Sequence, residues 1–217
     1  MEAIFKFLTK LGKNNNKEWF DANRSQYQDL KQEYIGIIDK VIQQCTVFDP
    51  MLKGVDASKA IFRINRDVRF SKNKAPYKTN FGASINPGGK KTMIAGYYIH
   101  LEPGKSFLAA GTYMPESPYL SAIRQEIDYN LEEFKKIVNT KEFKMEFTSL
   151  SVEDALKTVP KGYDKENPAL EFLKLKHFIV VKDLTDKDVL SKHFIKNTSK
   201  SFKAAIPLIA FLRRIKD

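Results

Sequence analysis

The stretch GYYIHLEPGKSFLAAGTYM, residues 96–114, decides how the middle of the chain folds. Two runs rich in aromatic and aliphatic residues flank the tetrapeptide Glu102-Pro103-Gly104-Lys105. Such runs around a short Pro-Gly turn are typical of a β-hairpin. We therefore predict strands over Ala95–Glu102 and Ser106–Met114.

Further strands are predicted on both sides of this hairpin. Ala60–Phe70 and Gly82–Asn86, taken together with the two hairpin runs, are rich in Ile, Phe and Tyr and poor in helix formers, and Asn86-Pro87-Gly88-Gly89 is a turn signal. The stretch HFIVVKDL, His177–Leu184, is a late strand. Three to five strands, mostly antiparallel, are therefore expected in the middle of the chain, with the late strand returning to the sheet.

The flanking regions carry apolar residues at helical spacing. Helices are predicted over Ala3–Leu11, from a cap at Asn16 to Cys45, Ser117–Asp128, Leu131–Val138, Lys141–Phe147, Asn167–Leu173 and Asp186–Ile215. The last of these should be bent or interrupted near Pro207. We predict one α+β domain over residues 1–217, a central mostly antiparallel sheet flanked by N-terminal and C-terminal helices.

Composition narrows the class of protein. The 217 residues include 42% apolar and 29% charged residues, which suits a chain with one buried core. Cys45 is the single cysteine, so no intramolecular disulfide can form, which fits a reducing compartment. No signal-peptide core and no membrane-spanning apolar run is present. We expect a cytoplasmic protein with no membrane association.

The positive charge is concentrated in one segment. The net charge is +11, and residues 59–91 hold nine bases and one acid, so this segment accounts for +8 of it. A local positive field indicates an interaction surface for an anionic partner.

Three of the seven arginines, Arg63, Arg66 and Arg69, lie within this segment around the single acid Asp67. If residues 62–70 form a strand, Arg66 lies on the face that carries Phe62 and Phe70. An unpaired buried charge is costly, so Arg66 should meet a carboxylate, a water-filled cleft or an anionic ligand.

The planar guanidinium can grip a phosphate or carboxylate through two hydrogen bonds. Lys74 and Lys78 follow in a polar turn and can fold back toward the arginines. Two interpretations stay open: the arginines cradle an anion, or they belong to a structural network of ion pairs.

The spacing Arg63-x-x-Arg66-Asp67-x-Arg69-Phe70-x-x-Asn73-Lys74-x-x-Tyr77 resembles the signature of a bacterial family of conserved hypothetical proteins, a domain of unknown function of about this length. Many members have Asp where this chain has Asn73. The stretches NNNKEWF, GYYIHLEPGKSFLAAGTYMPES, VPKGYDKENP and LKLKHF are also similar to the family, so the resemblance covers most of the chain. It implies a single α+β domain of unassigned activity, with the signature residues forming the site.

Other candidates are weaker. His100, His177 and His193 have no metal-ligand spacing, and no nucleotide-binding glycine motif occurs, so we expect no metal and no cofactor. His100 alternates with tyrosines on a predicted strand, as a structural histidine would. Arg124 either points toward the arginines or pairs with Asp128 at i+4.

Three functions follow from these observations. The first is binding of a phosphorylated or other anionic small molecule by the ligand set Arg63, Arg66, Arg69, Lys74, Tyr77 and Lys78. The second is an enzyme acting on such a ligand, with Asp67 as acid or base. The third is nucleic-acid binding through the basic segment.

Overall fold

The computed structural model describes residues 1–89 and 92–215. Four strands form one sheet in the order β1-β2-β3-β4, with every neighbouring pair antiparallel. The strands are β1 (Phe81–Ile85), β2 (Gly96–Leu101), β3 (Ser106–Thr112) and β4 (Phe178–Leu184). The hairpin predicted at residues 96–114 is confirmed. Its turn is closed by the Lys105 amide, which donates to the Glu102 carbonyl over 2.9 Å.

Eleven α-helices and one 3-10 turn accompany the sheet in the described part of the chain. They are α1 (Glu2–Lys13), α2 (Lys17–Ala22), α3 (Arg24–Thr46), the 3-10 turn Pro50–Leu52, α4 (Ala57–Ala60), α5 (Ser117–Tyr129), α6 (Leu131–Val138), α7 (Lys141–Glu146), α8 (Leu170–Leu173), α9 (Asp186–Leu190), α10 (Phe194–Ala204) and α11 (Ile206–Arg213). The α+β fold class is therefore confirmed. None of these helices is both long enough and apolar enough to cross a membrane.

Helices cover one face of the sheet. The alternation of β2 turns Tyr97, Ile99 and Leu101 toward this face, where all three are buried. Tyr34 of α3 packs on Phe81 of β1 with ring centroids 5.3 Å apart, and Phe202 of α10 packs on Tyr97 at 4.7 Å. One continuous core results.

A buried ion pair joins the last helix to the chain that follows α3. Arg213 donates from Nη1 to Asp49 Oδ1 over 2.8 Å, and the Tyr97 hydroxyl donates to Asp49 Oδ2 over 3.0 Å. Both charges have a partner, as buried charges require.

Two predicted helices are subdivided. The helix predicted from Asn16 to Cys45 breaks at Asn23, whose side chain donates to the Trp19 carbonyl and so competes with the helical ladder. The Asn16 cap itself is confirmed, because its side chain accepts from the Trp19 amide. The predicted tail over 186–215 is three helices, with the expected break near Pro207, which lies in the first turn of α11 where a missing amide is tolerated.

The predicted strand Ala60–Phe70 is wrong. Ala60 ends α4, and only Ile61 and Asn65 make isolated bridges, to Ala83 and Tyr77. The expected apolar face does not exist, because Phe70 is 95% exposed and Phe62 is 39% exposed. After Ile64 the chain leaves the edge of β1 and pairs with itself, since its charged residues gain nothing from burial in the sheet.

Candidate functional site

The signature residues form a projecting arm. Residues 62–66 run antiparallel to residues 76–78: the Arg66 amide donates to the Pro76 carbonyl over 2.9 Å, and the Lys78 amide donates to the Ile64 carbonyl over 2.8 Å. Residues 67–75 form the loop at the end. We call residues 62–78 the basic arm.

Arg66 closes this loop from inside. Its Nη1 donates to the Ala75 carbonyl over 2.9 Å and its Nη2 donates to the Ser71 hydroxyl over 3.2 Å. Among the described residues, the partners of the Arg66 side chain are thus polar atoms of the loop, not a carboxylate. Lys74 acts similarly from the outside, because its Nζ donates to the Val68 carbonyl over 3.1 Å. Both side chains therefore shape the loop.

Tyr77 anchors the arm to the helices. Its ring is buried and stacks on Phe20 of α2 at 4.0 Å with an interplanar angle of 17°. The Asn15 side chain accepts from the Tyr77 amide over 3.0 Å and donates to the Tyr77 carbonyl over 2.9 Å. Among the signature residues, Tyr77 thus has the role of a core residue.

Asp67 is held by Arg69. Arg69 donates from Nε to Oδ1 over 3.0 Å and from Nη2 to Oδ2 over 2.6 Å. These hydrogen bonds, helped by the nearby charge of Arg63, lower the pKa of Asp67, and the same pairing raises the pKa of Arg69. A carboxylate with a lowered pKa is a weaker base, so this geometry does not favour Asp67 as an acid or base.

The other bases face solvent or the sheet. Arg63 and Lys72 are exposed, and neither makes a hydrogen bond or ion pair with any described residue. Lys78 is half-buried, with Nζ 5.3 Å from the centroid of the Phe62 ring. At the tip, the Arg69 guanidinium lies 5.8 Å from the centroid of the exposed Phe70 ring. Lys90 and Lys91, part of the sequence-based charge count, lie outside the described residues.

A polar network lies beside the root of the arm, on the sheet face opposite the core. His100 Nε2 is 3.1 Å from Glu102 Oε2, and the Tyr98 hydroxyl is 3.2 Å from His100 Nδ1. The Asn80 amide nitrogen is 2.9 Å from Nδ1, and Thr79 donates to Glu102 over 2.6 Å. Burial, with the Glu102 charge, raises the pKa of Tyr98 to about 12. The sequence analysis did not predict this network. The alternation of Tyr98 and His100 along the predicted strand was the feature that could have indicated it.

The remaining candidates lie elsewhere. Arg124 donates to the Leu175 carbonyl over 3.0 Å, and Asp128 accepts from Asn167 over 2.7 Å, so the predicted Arg124–Asp128 pair is not formed. His177 accepts from the Met114 amide and stacks on Tyr113. Within residues 1–89 and 92–215, no three His, Cys, Asp or Glu side chains group closely enough to hold a metal ion.

Fold and site together define an α+β protein with an antiparallel four-stranded sheet and a basic arm at its β1 edge. The chain belongs to the family described as conserved hypothetical protein (DUF2461), whose model matches residues 3–211. No curated protein and no solved structure shows significant similarity to it.

Proposed function

We propose that the protein binds a phosphorylated or other anionic small molecule through the basic arm. The observation that carries the proposal is the unbalanced charge of the arm. Its residues include six bases and one acid, and Arg69 already neutralises that acid. Concentrated like charge destabilises a fold unless a partner compensates it, so an anion is the expected partner.

The six proposed ligand residues have two roles. Arg63, Arg69 and Lys78 contact the anion, because their charged groups are at the surface of the arm or at its root. Arg66, Lys74 and Tyr77 hold the arm in shape through the contacts described above. Preorganising the arm in this way reduces the entropy lost on binding.

Isothermal titration with inorganic pyrophosphate, citrate and ATP tests this proposal. Arg63→Gln should weaken binding by roughly 10- to 150-fold, since a hydrogen bond to a charged group contributes about 1.5–3 kcal/mol. Lys141→Gln is the matched control, because Lys141 is an exposed lysine on α7 and its loss changes the net charge equally. Equal affinities for the two variants, or no binding of any probe, would contradict the proposal.

Nucleic-acid binding is the second candidate, favoured by the exposed Phe70 ring at the tip of a cationic loop. An exposed ring next to basic residues is suited to stacking with a base of a single strand. This function predicts that log affinity falls with log salt by about 0.7 per phosphate neutralised on a single strand. A Phe70→Ala variant that keeps full affinity for an oligonucleotide would count against it.

A further inference from the structure

Four aromatic rings adjoin one another on the open face of the sheet at the root of the basic arm. Phe62 meets Tyr98 edge-on, with centroids 6.1 Å apart and an interplanar angle of 68°. Tyr98 lies 5.7 Å from Phe107 of β3, and the His100 ring stacks on Phe107 at 4.6 Å and 12°. Tyr98, His100 and Phe107 are all half-buried, so solvent reaches this aromatic row.

A glycine allows the Tyr98 ring to lean across the neighbouring strand. A Cβ built on Gly82 of β1 would come within 2.6 Å of the Tyr98 hydroxyl and 3.3 Å of Cζ. Contacts below 3.0 Å are essentially never made by a real Cβ, so any side chain at Gly82 would push the ring away. The ring therefore lies over β1, where its outer face can act as a floor for a planar ligand.

The row has a charged end and a hydrogen-bonding end. At the first, the Lys78 ammonium lies over the Phe62 ring. At the other, Asn80 and Glu102 surround His100, and their amide and carboxylate atoms can pair with polar edges of a ring. A sugar phosphate or a polycarboxylate would contact the charged groups but would make no stacking contact with the aromatic rings.

We propose that this surface, defined by Phe62, Lys78, Gly82, Tyr98 and His100, binds a nucleotide unit. The base stacks on Tyr98 between Phe62 and the His100–Phe107 pair, and the phosphate contacts Lys78 and the basic arm beyond it. Base stacking suits an aromatic platform on a sheet, because every base has a π-face. This inference rests on the proposed anion-binding function and specifies the chemical class of the anion. The nucleotide unit is either a free nucleotide or part of a single strand.

The test compares three probes on each variant: inorganic pyrophosphate, ATP, and a fluorescein-labelled ten-residue oligothymidylate. Pyrophosphate reports on the charges alone, and the other two add a base. Tyr98→Leu should weaken binding of ATP or the oligonucleotide about tenfold while leaving pyrophosphate affinity unchanged. Tyr98→Phe, which keeps the ring, should bind both as the wild type does.

Gly82→Ala is an independent variant, since it displaces the ring without removing it, and it should reproduce the Tyr98→Leu effect. Phe62→Leu removes a second ring of the same row. It takes the place of Tyr98→Leu in the test if thermal melts show that Tyr98→Leu does not fold. Tighter binding of ATP indicates a free nucleotide, and tighter binding of the oligonucleotide with a steep salt dependence indicates a strand.

Two results would overturn the inference, and they are distinguishable. If pyrophosphate binds and ATP gains nothing from Tyr98, the nucleotide assignment fails and the anion-binding function stands. If no probe binds the wild type, the proposed function fails and the inference fails with it.

Discussion

At the scale of a single residue, burial determines the reactivity of the Cys45 thiol. It is completely buried near the end of α3. Burial, only partly opposed by a hydrogen bond with Ser199, raises the pKa of the thiol to about 12. Since the thiolate is the reactive form, the native thiol should be inert at neutral pH.

We therefore expect a disulfide reagent such as DTNB to modify the native protein more than about 100-fold more slowly than the protein unfolded in guanidinium chloride. The release of thionitrobenzoate at pH 8 measures both rates, and the unfolded sample provides the full stoichiometry. Rapid, complete modification of the native protein would show that Cys45 is accessible.

Asn15 acts at the scale of an element, because it fastens the basic arm to the segment between α1 and α2. Its amide makes both hydrogen bonds to the backbone of Tyr77. Asn15→Ala should cost about 1–3 kcal/mol in the free energy of unfolding, since it leaves two half-buried backbone groups unpaired. Hydrogen exchange at the Tyr77 amide should also become faster.

Asn14→Ala is the matched control for this prediction. Among the described residues, the Asn14 side chain contacts only the exposed Lys10 carbonyl, so its loss should change the stability by less than about 0.5 kcal/mol. Equal effects of the two variants in urea denaturation would show that Asn15 does not fasten the arm.

At the scale of the whole molecule, one buried carboxylate links α7, β4 and α10 in the C-terminal half of the chain. Glu146 at the end of α7 accepts from Lys182 of β4 over 2.5 Å, from Lys200 of α10 over 2.7 Å, and from Ser201 over 2.7 Å. Burial alone would raise the pKa of Glu146, but the hydrogen bonds from the lysines and Ser201 outweigh it and lower the pKa to about 2.

The direction of this shift predicts acid sensitivity. The folded pKa lies below the ordinary value of 4.5, so the stabilisation is complete above that pH and is lost as pH falls toward 2. Glu146→Gln should lower the free energy of unfolding by about 3 kcal/mol at pH 7 and by much less near pH 2. Urea denaturation across this pH range measures the difference.

Glu142→Gln on the same helix is the control, because Glu142 is exposed and its loss changes the charge equally. If both variants show the same pH dependence, the network around Glu146 contributes nothing specific.

Local patterns were enough to predict most elements. The Pro-Gly turn at residues 103–104 and the apolar runs beside it place β2 and β3 within one or two residues, and the Leu131–Val138 helix has the predicted bounds. Turn formation and helical periodicity depend on neighbouring residues, so they can be read from the chain alone. The concentration of positive charge in one segment was also predictable, since it depends only on which residues that segment contains.

Tertiary contacts decided the rest. Residues 62–70 alternate like a strand, yet only residues 62–66 run antiparallel to residues 76–78, because Asn15 and Phe20, far away in the sequence, hold Tyr77. The same contacts assign Arg66 to the loop and leave Arg63 exposed. The aromatic row around Tyr98 depends on Gly82 lying on the neighbouring strand beside it. Only the register of β1 and β2 determines this position of Gly82. Local sequence therefore set the elements and the charge, whereas long-range packing set which side chains meet.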